Sequence, residues 1–388
     1  MSLNAYEHGL EQLLAWSGKS YEEEISFPVK FPELRKPEST QLIVQVTPSL
    51  AVTMLDALPY LIDFPYGCSE QTMSRFLPAA IVKHTLLGVG LSMDEIKPGA
   101  FGGVDSSQIK NTHRTGFEAL SETDRVTTEG LKRLIDMQHG DGGWGWWEDG
   151  SSDLFMTAYV VWGLSLARDA GVEFELSLLN RGRNYLASNI VRAENQLDRQ
   201  SWMLHALYTA GVDGLSVKLS EAIDTAWVNL WERRDSLNAY SRALLALSAH
   251  RAGKSNAAMT LVRNLENGII RTEAAAPSRL QSGTLSGASA ATAHWGEDGI
   301  YQRWSDGGVE ATAMALRAIL AVDPNNALVE PVVRWLINNR RGAHWSNTRD
   351  TAMSLLALTD YLKVSGELET DLQYELYAGE KLVAAERV

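Results

Sequence analysis

Apolar residues recur at helical spacing through most of this 388-residue chain, and only its two ends alternate with the period of a strand. Ile25-Ser26-Phe27-Pro28-Val29-Lys30-Phe31 alternates apolar and polar positions, and Gln41-Leu42-Ile43-Val44-Gln45-Val46 is rich in β-branched residues. Alternation returns in Asp371-Leu372-Gln373-Tyr374-Glu375-Leu376-Tyr377, followed by a turn at Gly379. The pattern predicts strands within residues 1–50, a helical domain over 51–365 and returning strands over 366–388. A helical domain inserted in a β-domain has this order.

The helical middle repeats at roughly 40–70 residues, the range of stacked helical hairpins. Leu131–Asp136 and Val332–Ile337 are alike, and each precedes a Gly/Trp turn, Gly142-Gly143-Trp144 in one and Gly342-Ala343-His344-Trp345 in the other. Each turn opens a second helix rich in small residues, Met156–Leu164 and Asp350–Leu358. Variants of this second helix recur at Ser201–Leu207, Tyr240–Leu247 and Glu310–Leu316, and the run after Cys68 makes a sixth. Small residues suit close-packed inner helices, and the more polar first helices suit an outer ring. The expected fold is therefore mainly α, an (α/α)6 toroid. Two connections, about 92–124 and 272–305, are rich in Gly, Ser and Ala and read as long loops, mobile or partly ordered.

Composition narrows the function classes. Net charge is −13 and no Lys/Arg-rich run is present, which argues against nucleic acid as a partner. A single cysteine rules out an internal disulfide. Apolar stretches such as Met156–Ala167 fall short of the roughly 18 residues a membrane span needs. The chain stops in Lys381–Val388 as though within a strand, so a piece of a longer protein is expected.

That one cysteine lies in Phe64-Pro65-Tyr66-Gly67-Cys68-Ser69-Glu70-Gln71-Thr72. Alone, it reads as a small buried hydrophobe. Its surroundings allow more. With Cys68 near an N-cap and Gln71 near the third helical position, the Gln71 side chain can reach back to Cys68 as in a capping box. Attack of sulfur on the carboxamide with loss of ammonia would give a thioester. Gly67 would permit the sharp entry, and Phe64, Tyr66, Phe76 and Leu77 are candidates to keep water away. Glu70 beside the acyl group could assist proton transfer, or it could be a solvated charge at the helix start.

Pro65–Thr72 resembles the Gly-Cys-x-Glu-Gln thioester motif of the alpha-2-macroglobulin and complement family, in a form similar to the bacterial alpha-2-macroglobulins. Thr157–Val161 with Ser165-Leu166-Ala167, and Trp345–Thr351, also resemble stretches of that family's thioester domains. The resemblance implies a toroid inserted in a CUB β-sandwich, here partial. It implies a single-use protease trap rather than an enzyme, working in the periplasm or outside the cell. Its partners would be target proteases and the rest of the macroglobulin chain, with no cofactor and no metal. Some complement members carry a thioester-attacking histidine on the third hairpin; the corresponding Leu197-Asp198-Arg199-Gln200 has none, which implies direct reaction with amines such as lysine.

Two other chemistries use toroids. Gln138-His139-Gly140-Asp141-Gly142-Gly143-Trp144 fits the Gln-x-x-x-Gly-x-Trp repeat of squalene-type cyclases, a structural clasp, but their Asp-x-Asp-Asp acid is missing. A zinc-dependent prenyltransferase would need ligands beside Cys68 that the sequence does not offer. A carbohydrate enzyme could stack sugars on Trp144, Trp146, Trp147, Trp295 and Trp304, with an acid/base pair from Glu148, Asp149, Asp153, Glu297, Asp298, Asp306 and Glu310. Against this, Trp in Gly-rich turns packs hairpin ends, and acids at helix starts cap them, as Asp153, Asp306 and Asp350 are expected to do. The eight histidines are scattered without metal-ligand spacing, and His205 reads as a packed or surface residue.

Overall fold

The computed structural model describes residues 50–62, 67–88, 122–272, 291–296, 308–341, 344–365 and 373–387, with isolated positions between 24 and 44. Most of the expected strands at 25–31 and 41–46, and most of the two long connections, lie outside the described residues. Twelve α-helices account for most of the rest: α1 Leu50–Ile62, α2 Ser69–Gly88, α3 Thr123–Asp136, α4 Leu154–Asp169, α5 Leu176–Asn189, α6 Leu197–Ala210, α7 Val217–Glu232, α8 Ala239–Arg251, α9 Ser255–Leu265, α10 Val309–Val322, α11 Val329–Asn338 and α12 Thr348–Ser365.

The even-numbered helices pack side by side in the order α2, α4, α6, α8, α10, α12, and α12 returns to pack on α2. This closes an inner ring of six. The odd-numbered helices lie outside it, each packed on the inner helix that precedes it, and α1 packs on α12 and α2. Burial follows position. In α4 every residue from Phe155 to Ala167 is buried, and in α8 every residue from Ala239 to Ala249. Outer α7 buries only Ile223, Ala226 and Leu230, one stripe at helical spacing. The expected (α/α)6 toroid is the fold.

Three tryptophans fasten hairpins by one repeated device. The backbone N–H groups of Trp144, Trp295 and Trp345 donate to the hydroxyls of Thr157, Thr312 and Thr351 on inner helices, at 2.9, 3.0 and 3.1 Å. Their indole N–H groups donate to the carbonyls of Leu134, Leu265 and Leu336 near the ends of outer helices, at 2.7, 2.7 and 2.8 Å. All three rings are fully buried. Each clasp gives a donor to a carbonyl near a helix end, where intrahelical partners run out; the Leu336 carbonyl also accepts from the Asn339 N–H at 3.3 Å.

Two short antiparallel pairs complete the described structure. β1 (Ile270–Thr272) pairs with β2 (Thr292–His294), and the His294 ring stacks on Trp335 of α11 at 4.4 Å. β3 (Gln373–Ala378) and β4 (Lys381–Arg387) form the hairpin expected near Gly379, which adopts φ +64°.

Candidate functional site

The site begins where α2 begins. The Cys68 carbonyl accepts from the Thr72 N–H and hydroxyl, both at 3.0 Å, which makes Cys68 the N-cap and Gln71 the third helical residue. The Gln71 carboxamide folds back so that its Oε1 accepts from the Cys68 N–H at 3.1 Å. Gly67 is what lets it do so: a Cβ there would stand 1.4 Å from Gln71 Oε1 and 2.5 Å from its carbonyl carbon. The segment is held from α3 and the loop that follows it. Arg133 donates to the Gly67 carbonyl at 2.8 Å, the Ser69 N–H to the Trp146 carbonyl at 3.0 Å, and the Ser69 hydroxyl to the Gly145 carbonyl at 2.7 Å.

Cys68 forms no disulfide and has 8% of its surface exposed. Burial pushes its pKa up, hydrogen bonding at Gln71 opposes the rise, and the Glu70 charge adds to it. A thiol so placed is protonated at neutral pH and is a poor external nucleophile. The same environment disfavours a departing thiolate, so an acyl group on this sulfur is protected while the site stays dry. Its carbonyl would meet the Cys68 N–H and the positive end of α2, the arrangement that stabilises a developing oxyanion.

Glu70 is not a solvated charge. Its carboxylate accepts from the Ser74 hydroxyl at 2.6 Å, and Ser74 Oγ lies 3.0 Å from the Tyr159 hydroxyl on α4. Burial raises the Glu70 pKa; the Ser74 hydrogen bond and the Arg349 cation oppose the rise, and Glu310 reinforces it. Arg349, on α12, donates to Glu310 of α10 and, at 3.2 Å, to the hydroxyl of Tyr240 on α8. Its guanidinium lies over the rings of Phe155 and Tyr159, 4.5 and 5.4 Å from their centroids. Tyr240 in turn donates to Glu310 and accepts from Trp202 of α6 at 2.6 Å. Every inner helix thus sends a side chain into one buried polar cluster at the Cys68 end of the ring. Burial, the largest single influence, disfavours the Arg349 cation, yet Glu310, Tyr240, Tyr159 and Glu70 together outweigh it and the pKa is raised.

The remaining sequence-derived candidates are placed as follows. Phe64 and Tyr66 lie outside the described residues. Phe76 and Leu77 are buried, and Phe76 packs on α3 at Gly130, where a Cβ would come within 2.9 Å of it. The residues Leu197–Gln200 form the first turn of α6, with Asp198 accepting from Asn238 and Ser241 at 3.0 and 2.6 Å. Trp144 and Trp295 are too buried to meet a sugar, Trp147 is exposed, and Trp304, Glu297, Asp298 and Asp306 lie outside the described residues. Glu148 and Asp149 are exposed; Asp153 caps α4 through the Met156 N–H at 2.8 Å. Glu310 does not cap α10 but pairs across the ring, and α12 is capped by Asn347, not Asp350, which stands three residues inside. Gln138 donates to the carbonyls of Gly142 and Leu178, both at 3.0 Å, a structural clasp. His205 is packed at 2% exposure between Trp162 and Trp202. Among the described residues no group of His, Cys, Asp and Glu could hold a metal ion, and no helix is long and apolar enough to cross a membrane.

A closed α/α toroid opened by a Gly-Cys-x-Glu-Gln helix start defines the class of thioester-containing domains. The family profile of the A-macroglobulin TED domain matches residues 42–361, and the chain belongs to that family. It is 34% identical over 182 residues to the alpha-2-macroglobulin of Thermotoga maritima, covering 47% of this chain and 9% of that protein. Against thioester-containing protein 1 allele R1 of Anopheles gambiae, identity is 20% over 341 residues, covering 86% of this chain and 23% of that protein. The chain thus spans less than a quarter of these curated relatives. Among solved structures, native alpha-2-macroglobulin of Escherichia coli, from domain MG7 to the C-terminus, superposes with a TM-score of 0.56 at 16% identity, covering 88% of this chain and 47% of that one. Salmonella alpha-2-macroglobulin reacted with methylamine gives 0.55 at 14% identity, covering 88% and 19%. At such identities these structures speak for the fold.

Proposed function

We propose that Cys68 and Gln71 form an internal thioester, and that this domain is the covalent-capture element of a protease-trapping inhibitor of the alpha-2-macroglobulin kind. The observation that carries the reading is the Gln71 carboxamide folded back onto the Cys68 N–H over a Gly67 with no room for a side chain. Formation of the bond joins Cys68 Sγ to the Gln71 carbonyl carbon and breaks its C–N bond; the thiol proton leaves with ammonia. After cleavage elsewhere in the full-length chain, a lysine amine of the protease attacks that carbon and the C–S bond breaks. Cys68 ends as a free thiol and the protease is held by an amide. Each molecule reacts once, so the domain is an inhibitor and not an enzyme. Reaction with methylamine, named for the Salmonella relative, supports an amine as the nucleophile.

The proposed setting is the periplasm or the cell exterior, with target proteases and the remaining macroglobulin domains as partners. The toroid would occupy residues 51–365, and residues 1–50 and 366–388 would belong to a CUB-like sandwich. Tyr377, Leu382 and Val383 on the β3–β4 hairpin are about half exposed, as side chains awaiting the rest of a sheet would be.

Intact-mass measurement tests the reading. Freshly prepared protein is expected to be lighter than its sequence by one ammonia, and methylamine should release one titratable thiol. Cys68→Ala and Gln71→Glu should abolish both. Hydrolysis would leave glutamate at position 71, which peptide mapping detects. Recovery of Gln71 as an intact carboxamide in protein indifferent to methylamine would overturn the proposal.

A further inference from the structure

The Gly67–Cys68 peptide is gripped at both of its polar ends. Its N–H donates to Gln71 Oε1 at 3.1 Å, and its carbonyl accepts from the Arg133 guanidinium at 2.8 Å. The peptide is trans, so these two groups point in opposite directions and turn together. Gly67, required because Gln71 leaves no room for a Cβ, makes this peptide plane easy to rotate. A rotated plane would aim its carbonyl oxygen at Gln71 Oε1, an acceptor facing an acceptor. The neighbouring anchors hold the next peptide instead: the Cys68 carbonyl accepts from Thr72, and the Ser69 N–H donates to the Trp146 carbonyl. Arg133 reaches Gly67 from the last turn of α3, 66 positions along the chain. It is half-buried in a crevice that it lines with Gly67, Thr72, Arg75 and Glu129, and Arg75 donates elsewhere, to the Ile62 carbonyl at the end of α1.

We infer that Arg133 is a positioning residue for the thioester chemistry: it holds and polarises the Gly67–Cys68 peptide so that the Cys68 N–H serves as oxyanion donor to the Gln71 acyl oxygen. This rests on the thioester reading above. In formation, Cys68 Sγ bonds to the Gln71 carbonyl carbon and charge gathers on Oε1. Collapse breaks the C–N bond, and the nitrogen leaves as ammonia with the thiol proton. In capture, the amine nitrogen bonds to the same carbon and charge returns to the same oxygen. The C–S bond then breaks, and one amine proton ends on the Cys68 sulfur. Both steps draw on one N–H.

A cationic donor on the peptide carbonyl draws electrons through the amide and makes the N–H at its other end a stronger donor. At 3.1 Å that N–H sits at the long end of the hydrogen-bond range, with room to shorten as charge develops on the oxygen. A cation in the last turn of α3 also faces the negative end of that helix. That second role would cost stability when lost and would leave the acyl carbonyl untouched.

The test pairs a rate with a spectrum. Thiol release is followed in excess methylamine, and the infrared difference across the reaction isolates the thioester carbonyl band. Arg133→Met should move that band to higher frequency, because its hydrogen bond is weakened. Removing an oxyanion donor outright costs about 100- to 1000-fold, so loosening one should slow thiol release by about tenfold to 100-fold. Arg133→Lys keeps a cationic donor and should recover most of both effects. Arg133→Gln, neutral but polar, takes the place of Arg133→Met if the latter does not fold. Arg125→Met, on the same helix but paired to Glu122 and Glu129, should leave band and rate as in wild type. A folded Arg133→Met that never loses ammonia, rescued by Arg133→Lys, supports the same role through the formation step. Mass is read first in wild type: no loss of ammonia there tells against the thioester itself, and the inference falls with it. Ammonia lost in wild type and in Arg133→Met alike, with the same band and the same rate, overturns the role of Arg133 alone, as does failure of Arg133→Lys to recover either.

Discussion

Gly67→Ala isolates the packing on which the capped Cys–Gln pair depends. The new Cβ would stand 1.4 Å from Gln71 Oε1, whereas ordinary contact begins at 3.4 Å, so the carboxamide must retreat by about 2 Å. The backbone at Gly67 needs no left-handed conformation, so the substitution acts through space alone. Misplacement by about 1 Å can cost about 100-fold in a proximity-driven step, so thioester formation should slow at least that much. Stability should change far less. Loss of the cap hydrogen bond to Cys68 N–H costs about 0.5–2 kcal/mol, leaving a folded domain. Mass spectrometry across a time course, with thiol titration before and after methylamine, reads the chemistry; thermal unfolding reads the fold. Gly140→Ala, whose Cβ would meet nothing within 4 Å, is the control and should match wild type. A Gly67→Ala protein that loses ammonia and answers methylamine as wild type does would refute the packing argument.

Two further outcomes test the architecture. Trp295→Phe deletes the indole donor to the Leu265 carbonyl and should destabilise the domain by about 1–3 kcal/mol, seen as a lower denaturation midpoint with an unchanged m-value. Burial holds the His205 pKa well below its ordinary 6.5, with the Arg251 and Arg317 cations adding to the effect. The unfolded chain therefore binds the extra proton first, and stability is lost as pH falls below about 6.5, by up to about 1.4 kcal/mol per pH unit from this group. His205→Leu should show a shallower slope in urea titrations between pH 6.5 and the depressed value; parallel slopes would contradict the assignment.

The inner ring was legible because its helices share a local vocabulary. Small residues run through Tyr240–Leu247 and Asp350–Leu358, and Gly/Trp turns with a following threonine mark three of the hairpin joints. The Cys68–Gln71 spacing was legible for the same reason, since a cap is a contact between neighbours. The polar cluster was not. Glu70, Tyr240, Glu310 and Arg349 are each the second residue of their own inner helix, spread over most of the chain, and only ring closure brings them together. Read locally, Glu310 is an ordinary acid at a helix start, and Arg349 carries no signal at all. Superposing the helix starts would have exposed the shared position. The capping role expected of Asp350 falls to Asn347, because an Asn-x-x-Asp start gives two plausible caps and backbone geometry selects the earlier one.

The contact between α2 and α12 has a consequence for synthesis. The helix that opens with Cys68 leaves the ribosome well before its last neighbour, which begins only at Thr348. Until the sixth hairpin arrives, one flank of the cysteine helix has no wall, whatever the intervening hairpins have achieved. Long-range closures of this kind come late because their loop entropy must be met before their contacts form. The thiol must therefore pass through a long nascent period uncovered. The proposed thioester, if it survives only in a dry site, could not outlast this interval, so its formation would be timed by the final turn of the ring rather than by the residues that compose it.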